Sequence, residues 1–210
     1  MEDKNTIFKE FDRHLMEDKE PSHYFNEILG KGEFPNIYPF TLLEELTDVP
    51  QSPKHHPEGS VWKHTMLVVD NAAEKKEVSE EPHAFMWAAL LHDLGKKPTT
   101  KLRKGRITSY DHDRHGERIA REFLEELTND EEFIDKVSAL VRWHMQALFV
   151  VKDLPFADIE KMLSQISVDE VALLTLCDRL GRGEMTEERH AEEEENIKTF
   201  VHKSKNYRKH

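Results

Sequence analysis

AFMWAALLHDLGKK, residues 84–97, begins with eight apolar residues and ends on a His-Asp pair just ahead of Gly95. A segment apolar on every side of a helix is a helix buried all round. His92 and Asp93 therefore arrive at the end of a buried element. An ionised carboxylate taken out of water beside an imidazole is costly unless both are paired or bind a metal. A hydrogen-bonded structural His–Asp pair explains this run, taken alone, as well as a metal site does.

Two other runs repeat the pattern. In SVWKHTMLVVD, residues 60–70, His64 interrupts an apolar helix turn, and in VALLTLCDRLGRG, residues 171–183, Asp178 closes a largely apolar one. Each taken singly reads as a satisfied core histidine or a helix-end aspartate. Three separate buried helices that each deliver such groups favour a common centre. Two imidazoles and two carboxylates form a mixed nitrogen and oxygen set. It suits Mn, Fe, Zn, Ni or Co, with Mg also in range, and differs from the thiolates of a structural zinc site. Such a set leaves positions open for water and a substrate oxygen, as metal-assisted hydrolysis requires.

Most of the remaining apolar positions also have helical spacing. Helices are predicted near 3–17, 22–29, 39–47, 61–78, 82–94, 113–128, 130–147, 156–164, 167–180 and 184–202, with Asn129 or Asp130 as a cap. Gly95 and Gly181 are read as the glycines that end the fifth and ninth helices. Segment 48–60 reads as an ordered loop, and the basic segment 96–111 as a loop over one face. Residues 184–195 hold seven glutamates and read as a solvated helix with a frayed end. The expected organisation is an N-terminal helical extension at 1–34, a main domain at 35–183, and a charged C-terminal helix or tail at 184–210.

The 210 residues are 37% hydrophobic and 34% charged, with a formal net charge of −12. That is the composition of a folded domain, and its acidity argues against binding to duplex DNA. No apolar run approaches the roughly 20 residues of a membrane-spanning helix. The start MEDKNTIFKEF lacks the basic and apolar regions of a signal peptide. The single cysteine, Cys177, has no intramolecular partner. A reducing cytoplasm is the expected location.

The ordered set His64, His92-Asp93 and Asp178 resembles the HD superfamily of metal-dependent phosphohydrolases, over roughly residues 35–183. Three stretches narrow the likeness: LTDVPQSPKHHPEGSVWKHTMLVVD, LLHDLGKKPTT and SYDHDRHGERIAREFLEEL look like the HD domain attached to bacterial tRNA nucleotidyltransferases. The resemblance implies a compact all-α helical bundle with a divalent metal at its centre, held by His64, His92, Asp93 and Asp178. It also implies phosphodiesterase or phosphatase action on a small nucleotide or an RNA-terminal phosphoester, with a 2′,3′-cyclic phosphate as first choice. His112 and His144 match further positions that serve a second metal or the phosphate. Gly59-Ser60 is not followed by the paired aspartates that nucleotide addition needs, and Leu94-Gly95-Lys96-Lys97 stands where (p)ppGpp hydrolases carry Glu-Asp. The Gly-Tyr-Pro motif of cyclic-di-GMP hydrolases is missing, and the dNTP triphosphohydrolase pattern fits poorly.

Beside these, Asp93 and Lys96 are the expected catalytic residues, with Lys96 placed to stabilise charge on a phosphoryl transition state. A helix-end cation that favours the dipole is the plainer account of Lys96. Arg182 and Lys97 are candidate substrate contacts. His55, His56 and Glu58 are candidates for the entrance, His115 reads as a surface histidine, and Trp62, Trp87 and Trp143 read as core. A competing reading is a non-catalytic, metal-containing HD module that binds a nucleotide or a protein partner. A metal-stabilised structural protein is a third.

Overall fold

The apolar run at 84–91 lies at the centre of the molecule in the computed structural model, which describes residues 3–207 apart from Glu184. Twelve α-helices and one hairpin are found among the described residues. In chain order they are α1 Lys4–Glu17, α2 Ser22–Gly30, α3 Thr41–Glu44, α4 Val61–Lys75, α5 Pro82–Leu91, α6 Lys96–Thr99, strands β1 Thr100–Arg103 and β2 Arg106–Ser109, α7 His112–Glu125, α8 Glu131–Trp143, α9 Gln146–Val151, α10 Ile159–Leu163, α11 Val168–Leu180 and α12 Glu187–Lys205. The protein is an all-α bundle. No helix among the described residues is long and apolar enough to cross a membrane.

Every residue of α5 from Ala84 to Leu91 is buried, because α1, α4, α8 and α11 all pack against it. Pro82 starts α5 at a position whose N–H would lack a helical partner in any case. The described residues of the N-terminal segment, 3–34, contribute to this core. Phe11, Leu15 and Phe25 are fully buried, and Asp12 accepts hydrogen bonds from Trp87 Nε1 at 2.9 Å and His83 Nε2 at 2.5 Å. Trp62, Trp87 and Trp143 are buried, as their helical setting predicts. Asp130 caps α8 by accepting from Phe133 N at 3.1 Å.

Three sequence expectations are corrected. Segment 96–111 is not a loop: α6 leads into an antiparallel hairpin with Thr100 opposite Ser109 and Arg103 opposite Arg106. Lys104 and Gly105, both at positive φ, make its two-residue turn, which matches the twist of the strands. The helix expected over 130–147 breaks at Trp143, and α9 starts anew at Gln146. The acidic tail is a docked helix whose later turns bury Phe200 and Ser204 against the body, while its glutamates stay largely exposed.

Gly95 and Gly181 do sit near helix ends, but neither has a left-handed backbone. Close approach is what requires glycine. A Cβ on Gly95 would stand 1.9 Å from the His112 carbonyl oxygen and 2.5 Å from Gly116 N. A Cβ on Gly181 would stand 2.6 Å from Val68 Cγ2. The first contact brings α7 onto the turn after α5, and the second brings the end of α11 onto α4.

Two outcomes follow from this packing. Gly95→Ala is expected to lower unfolding free energy by about 1–3 kcal/mol, the usual range for overpacking, as read by urea denaturation. Burial pushes the Cys177 thiol up to about 12. The native protein should therefore resist iodoacetamide at neutral pH and react only once unfolded, a difference that mass spectrometry reads directly.

Candidate metal centre

Five elements deliver one buried group or pair each to a common point. His64 comes from α4, His92 and Asp93 from the turn that ends α5, His112 from the first residue of α7, His144 from the residue after α8, and Asp178 from the last turns of α11. Asp93 lies between the imidazoles. Its Oδ2 is 3.3 Å from His92 Nε2 and 3.8 Å from His64 Nε2, whereas its Oδ1 is 3.6 Å from His112 Nε2 and 4.0 Å from His144 Nε2. Asp178 Oδ1 joins the group at 2.9 Å from His64 Nε2.

Backbone carbonyls set the ring orientations. His92, His112 and His144 each direct Nδ1 at the carbonyl oxygen three residues earlier, on Ala89, Ser109 and Val141, at 2.8, 2.8 and 2.7 Å. Nδ1 is the donor in each contact, so the hydrogen-bond network assigns Nε2 as the bare nitrogen. His92 Nε2 is then a buried acceptor without a hydrogen-bond partner. The Nε2 atoms of His112 and His144 face each other at 3.2 Å, two lone pairs in contact unless a proton or a cation lies with them. This arrangement fits a cation. The ligand atoms of His64, His92 and Asp93 lie within 4.8 Å of one another, as do those of Asp93, His112 and His144, so either set can hold a metal ion.

Burial and charge act together here. Burial pushes His144 down to about 4, helped by repulsion from His112 and His92, and it lowers His112 as well. Those two rings are neutral at physiological pH, the form that ligates metals. Burial also opposes the charge on Asp93. Attraction to the His92 ring, the Lys96 ammonium and the His112 ring, exerted by each imidazole when it carries its proton, outweighs it and holds that carboxyl well below the usual carboxylate range. Asp178 is lowered in the same way, against burial, by its hydrogen bond to His64 and by the charges of Arg182 and Arg179. His64 is raised, because its contacts with Asp178 and Glu58 outweigh burial.

Around this centre stands a supporting layer that sequence reasoning identified only in part. Lys96 Nζ is 2.7 Å from Asp93 Oδ2, an ion pair outside hydrogen-bond geometry, and donates to Gln51 Oε1 at 2.7 Å. Glu58 is more than an entrance residue: it lies 3.1 Å from His64 Nδ1 and accepts from His56 Nδ1 at 2.8 Å and Gly183 N at 3.1 Å. Its place in HPEG, just before the His64 helix, was the available signal. Gln51 and Arg179 gave none.

A cavity of about 430 Å³ opens over Asp93, Lys96, His112, His144 and Asp178, with His55, Arg179 and Arg182 also in its wall. Lys97 lies outside it and is 3.6 Å from Glu45. His115 is exposed, as expected, and borders a neighbouring groove of about 870 Å³. That larger groove adjoins the centre only through His112, so its size does not make it the reactive site.

A helical bundle closing on buried imidazoles and carboxylates defines a metal-binding α-domain. The HD domain family model matches residues 61–183, more than half of the chain, and the chain belongs to the HD domain family, whose members are typically metal-dependent phosphohydrolases. Relatives named "Multifunctional CCA protein" share the region. The one from Azoarcus sp. (strain BH72) is 29% identical over 185 residues, covering 84% of this chain and 42% of the relative. The one from Halorhodospira halophila is 33% identical over 141 residues, covering 67% and 32%. That of Actinobacillus pleuropneumoniae serotype 5b is 40% identical over 81 residues, covering 39% and 19%. The chain spans less than half the length of these relatives.

The Lys96–Asp93 pair makes a direct test of the electrostatics. Lys96→Met leaves a buried carboxylate without its cation and is expected to destabilise the ion-free protein by about 3–5 kcal/mol in urea titrations. Lys96→Met with Asp93→Asn should recover most of that loss. A double variant as unstable as the single one would show that Lys96 acts through packing alone.

Proposed function

We propose that this chain hydrolyses phosphoesters with divalent metal held by His64, His92, Asp93 and Asp178, and with a second ion held by Asp93, His112 and His144. The proposed catalytic domain spans 35–183. The observation that carries the reading is the division of Asp93: one carboxylate oxygen faces His64 and His92, and the other faces His112 and His144. A carboxylate so placed can bridge two ions.

A bound divalent ion supplies Lewis-acid polarisation of a phosphoryl oxygen and lowers the pKa of water. The chain supplies the rest. Asp93 and Asp178 provide the anionic contacts that hold the cations, and the carbonyl-anchored imidazoles keep their nitrogens aimed without reorganisation. Lys96, steadied by Gln51, offers its ammonium to the charge that grows on phosphorus oxygens. Arg182 contributes a further cation to the cavity wall.

For the substrate we favour a small nucleotide or an RNA-end phosphoester, and a 2′,3′-cyclic phosphate first among these. The support is likeness to relatives whose name refers to CCA, in the region that carries the HD residues. The test crosses Mn, Co, Ni, Mg and Zn with 2′,3′-cyclic nucleotides, nucleoside monophosphates and bis-p-nitrophenyl phosphate. Metal-dependent turnover is expected, abolished in Asp93→Ala and reduced about 10²–10³-fold in Lys96→Ala. Bound metal without turnover of any of these substrates would favour the non-catalytic binding module instead.

A further inference from the structure

Arg179 and Arg182 are the unexplained charges of the cavity. Arg179 is 9% exposed, and the Nε of Arg182 is buried without a hydrogen-bond partner. Among the described residues neither guanidinium takes part in an ion pair or hydrogen bond, although Asp178 is the immediate neighbour of Arg179 in sequence. Glu193 of α12 influences Arg179 only through space. A buried guanidinium nitrogen with no acceptor among the described residues, beside a second arginine that is also unpaired there, is unfavourable until an anion meets it.

Their placement says what would pair with them. Both line the same cavity as Asp93, Lys96 and Asp178, on either side of Gly181. Lys96 is already engaged with Asp93 and Gln51, and Asp178 with His64. The arginines act on Asp178 through space but form no ion pair with the carboxylates that face the imidazoles, so an anion meeting them sits beside the reacting position rather than on it. Charge points the same way. Lys96, Arg179 and Arg182 balance Asp93, Asp178 and Glu58 before any ion enters, so every divalent cation leaves the site positive. A single negative charge offsets half of the excess that one such ion brings and a quarter of what two bring.

We infer that Arg179 and Arg182 form a subsite for a second, non-reacting phosphate, so that the preferred substrates are nucleotides carrying two phosphate groups. This rests on the hydrolase reading for the reacting phosphate, while the subsite itself is a binding feature. Guanidinium groups suit it, since their planar forks meet phosphate oxygens in pairs. A lysine would offer only a point charge.

The test uses the metal-loaded full chain. Calorimetry compares adenosine 3′,5′-bisphosphate with adenosine 3′-monophosphate, and kinetics compares adenosine 2′,3′-cyclic phosphate with and without a 5′-phosphate. The second phosphate is expected to improve affinity and kcat/KM by roughly ten- to hundredfold, the range for hydrogen bonds to charged groups. In Arg179→Gln and Arg182→Gln that gain, taken as a ratio within each variant, should collapse towards unity. A wild type that treats the paired ligands alike, or a gain that survives both substitutions, overturns the subsite. If neither cyclic substrate is turned over but the binding gain is present and arginine-dependent, the hydrolase reading fails and the subsite stands. Stability gives an independent readout: Arg179→Met in the ligand-free chain should leave Tm unchanged or raise it. A fall of several degrees would mark the guanidinium as structural and defeat the proposal.

Discussion

The carboxylate of Asp93 is 1% exposed and sits at the end of a helix with no polar residue between Ala84 and Leu91. An isolated ion in such a place would be driven to take up a proton. It stays charged because the Lys96 ammonium lies 2.7 Å from it, and the four imidazoles gathered around it from α4, α7, α8 and its own turn complete a site in which a cation can join them. The bundle's packing and the site's chemistry are therefore one constraint. α7 must come close enough for His112 to face Asp93, and Gly95 and Gly116 provide the room for that approach.

Helix ends do much of the aiming. His92 and His144 are the residues that follow α5 and α8, where the last carbonyls have lost their intrahelical partners. Each ring caps such a carbonyl with Nδ1, which at once satisfies the backbone and turns Nε2 towards Asp93. A histidine one turn earlier would find that carbonyl already engaged, and its ring would be free to rotate. This explains why these candidate metal ligands sit where helices stop, and why α8 ends at Trp143 although no proline or glycine marks the place.

What the sequence disclosed follows from what physical chemistry makes conspicuous. Polar residues inside apolar runs stand out, so His64, His92, Asp93 and Asp178 were legible before any coordinates. The hairpin at 100–109 was not: its strands have four residues each, none of its strand side chains is buried, and no alternation separates it from a basic loop. Glu58 and Gln51 were obscured by their setting, since a loop rich in turn formers hides which side chains fold inward. The C-terminal helix misled for the opposite reason. Six glutamates in its first part mask Phe200, whose burial docks the later turns on the body.

A protein with a net charge of −12 presents an unfavourable field to a long polyanion approaching from solution. Screening confines that repulsion to about 8 Å at physiological ionic strength, so it acts on the many phosphates of an extended nucleic acid more than on a short one. Inside the cavity Lys96, Arg179 and Arg182 offset Asp93, Asp178 and Glu58, so the repulsion is relieved there, a bound divalent cation would make the local charge positive, and low surrounding polarity strengthens each contact. On the proposed function, repulsion outside and its relief within would favour small anions, or a single chain end that enters the cavity while the rest of the polymer stays clear. The acidity of the whole and the balanced, cation-binding pocket would thus act together as a filter on substrate size, one that neither feature would produce alone.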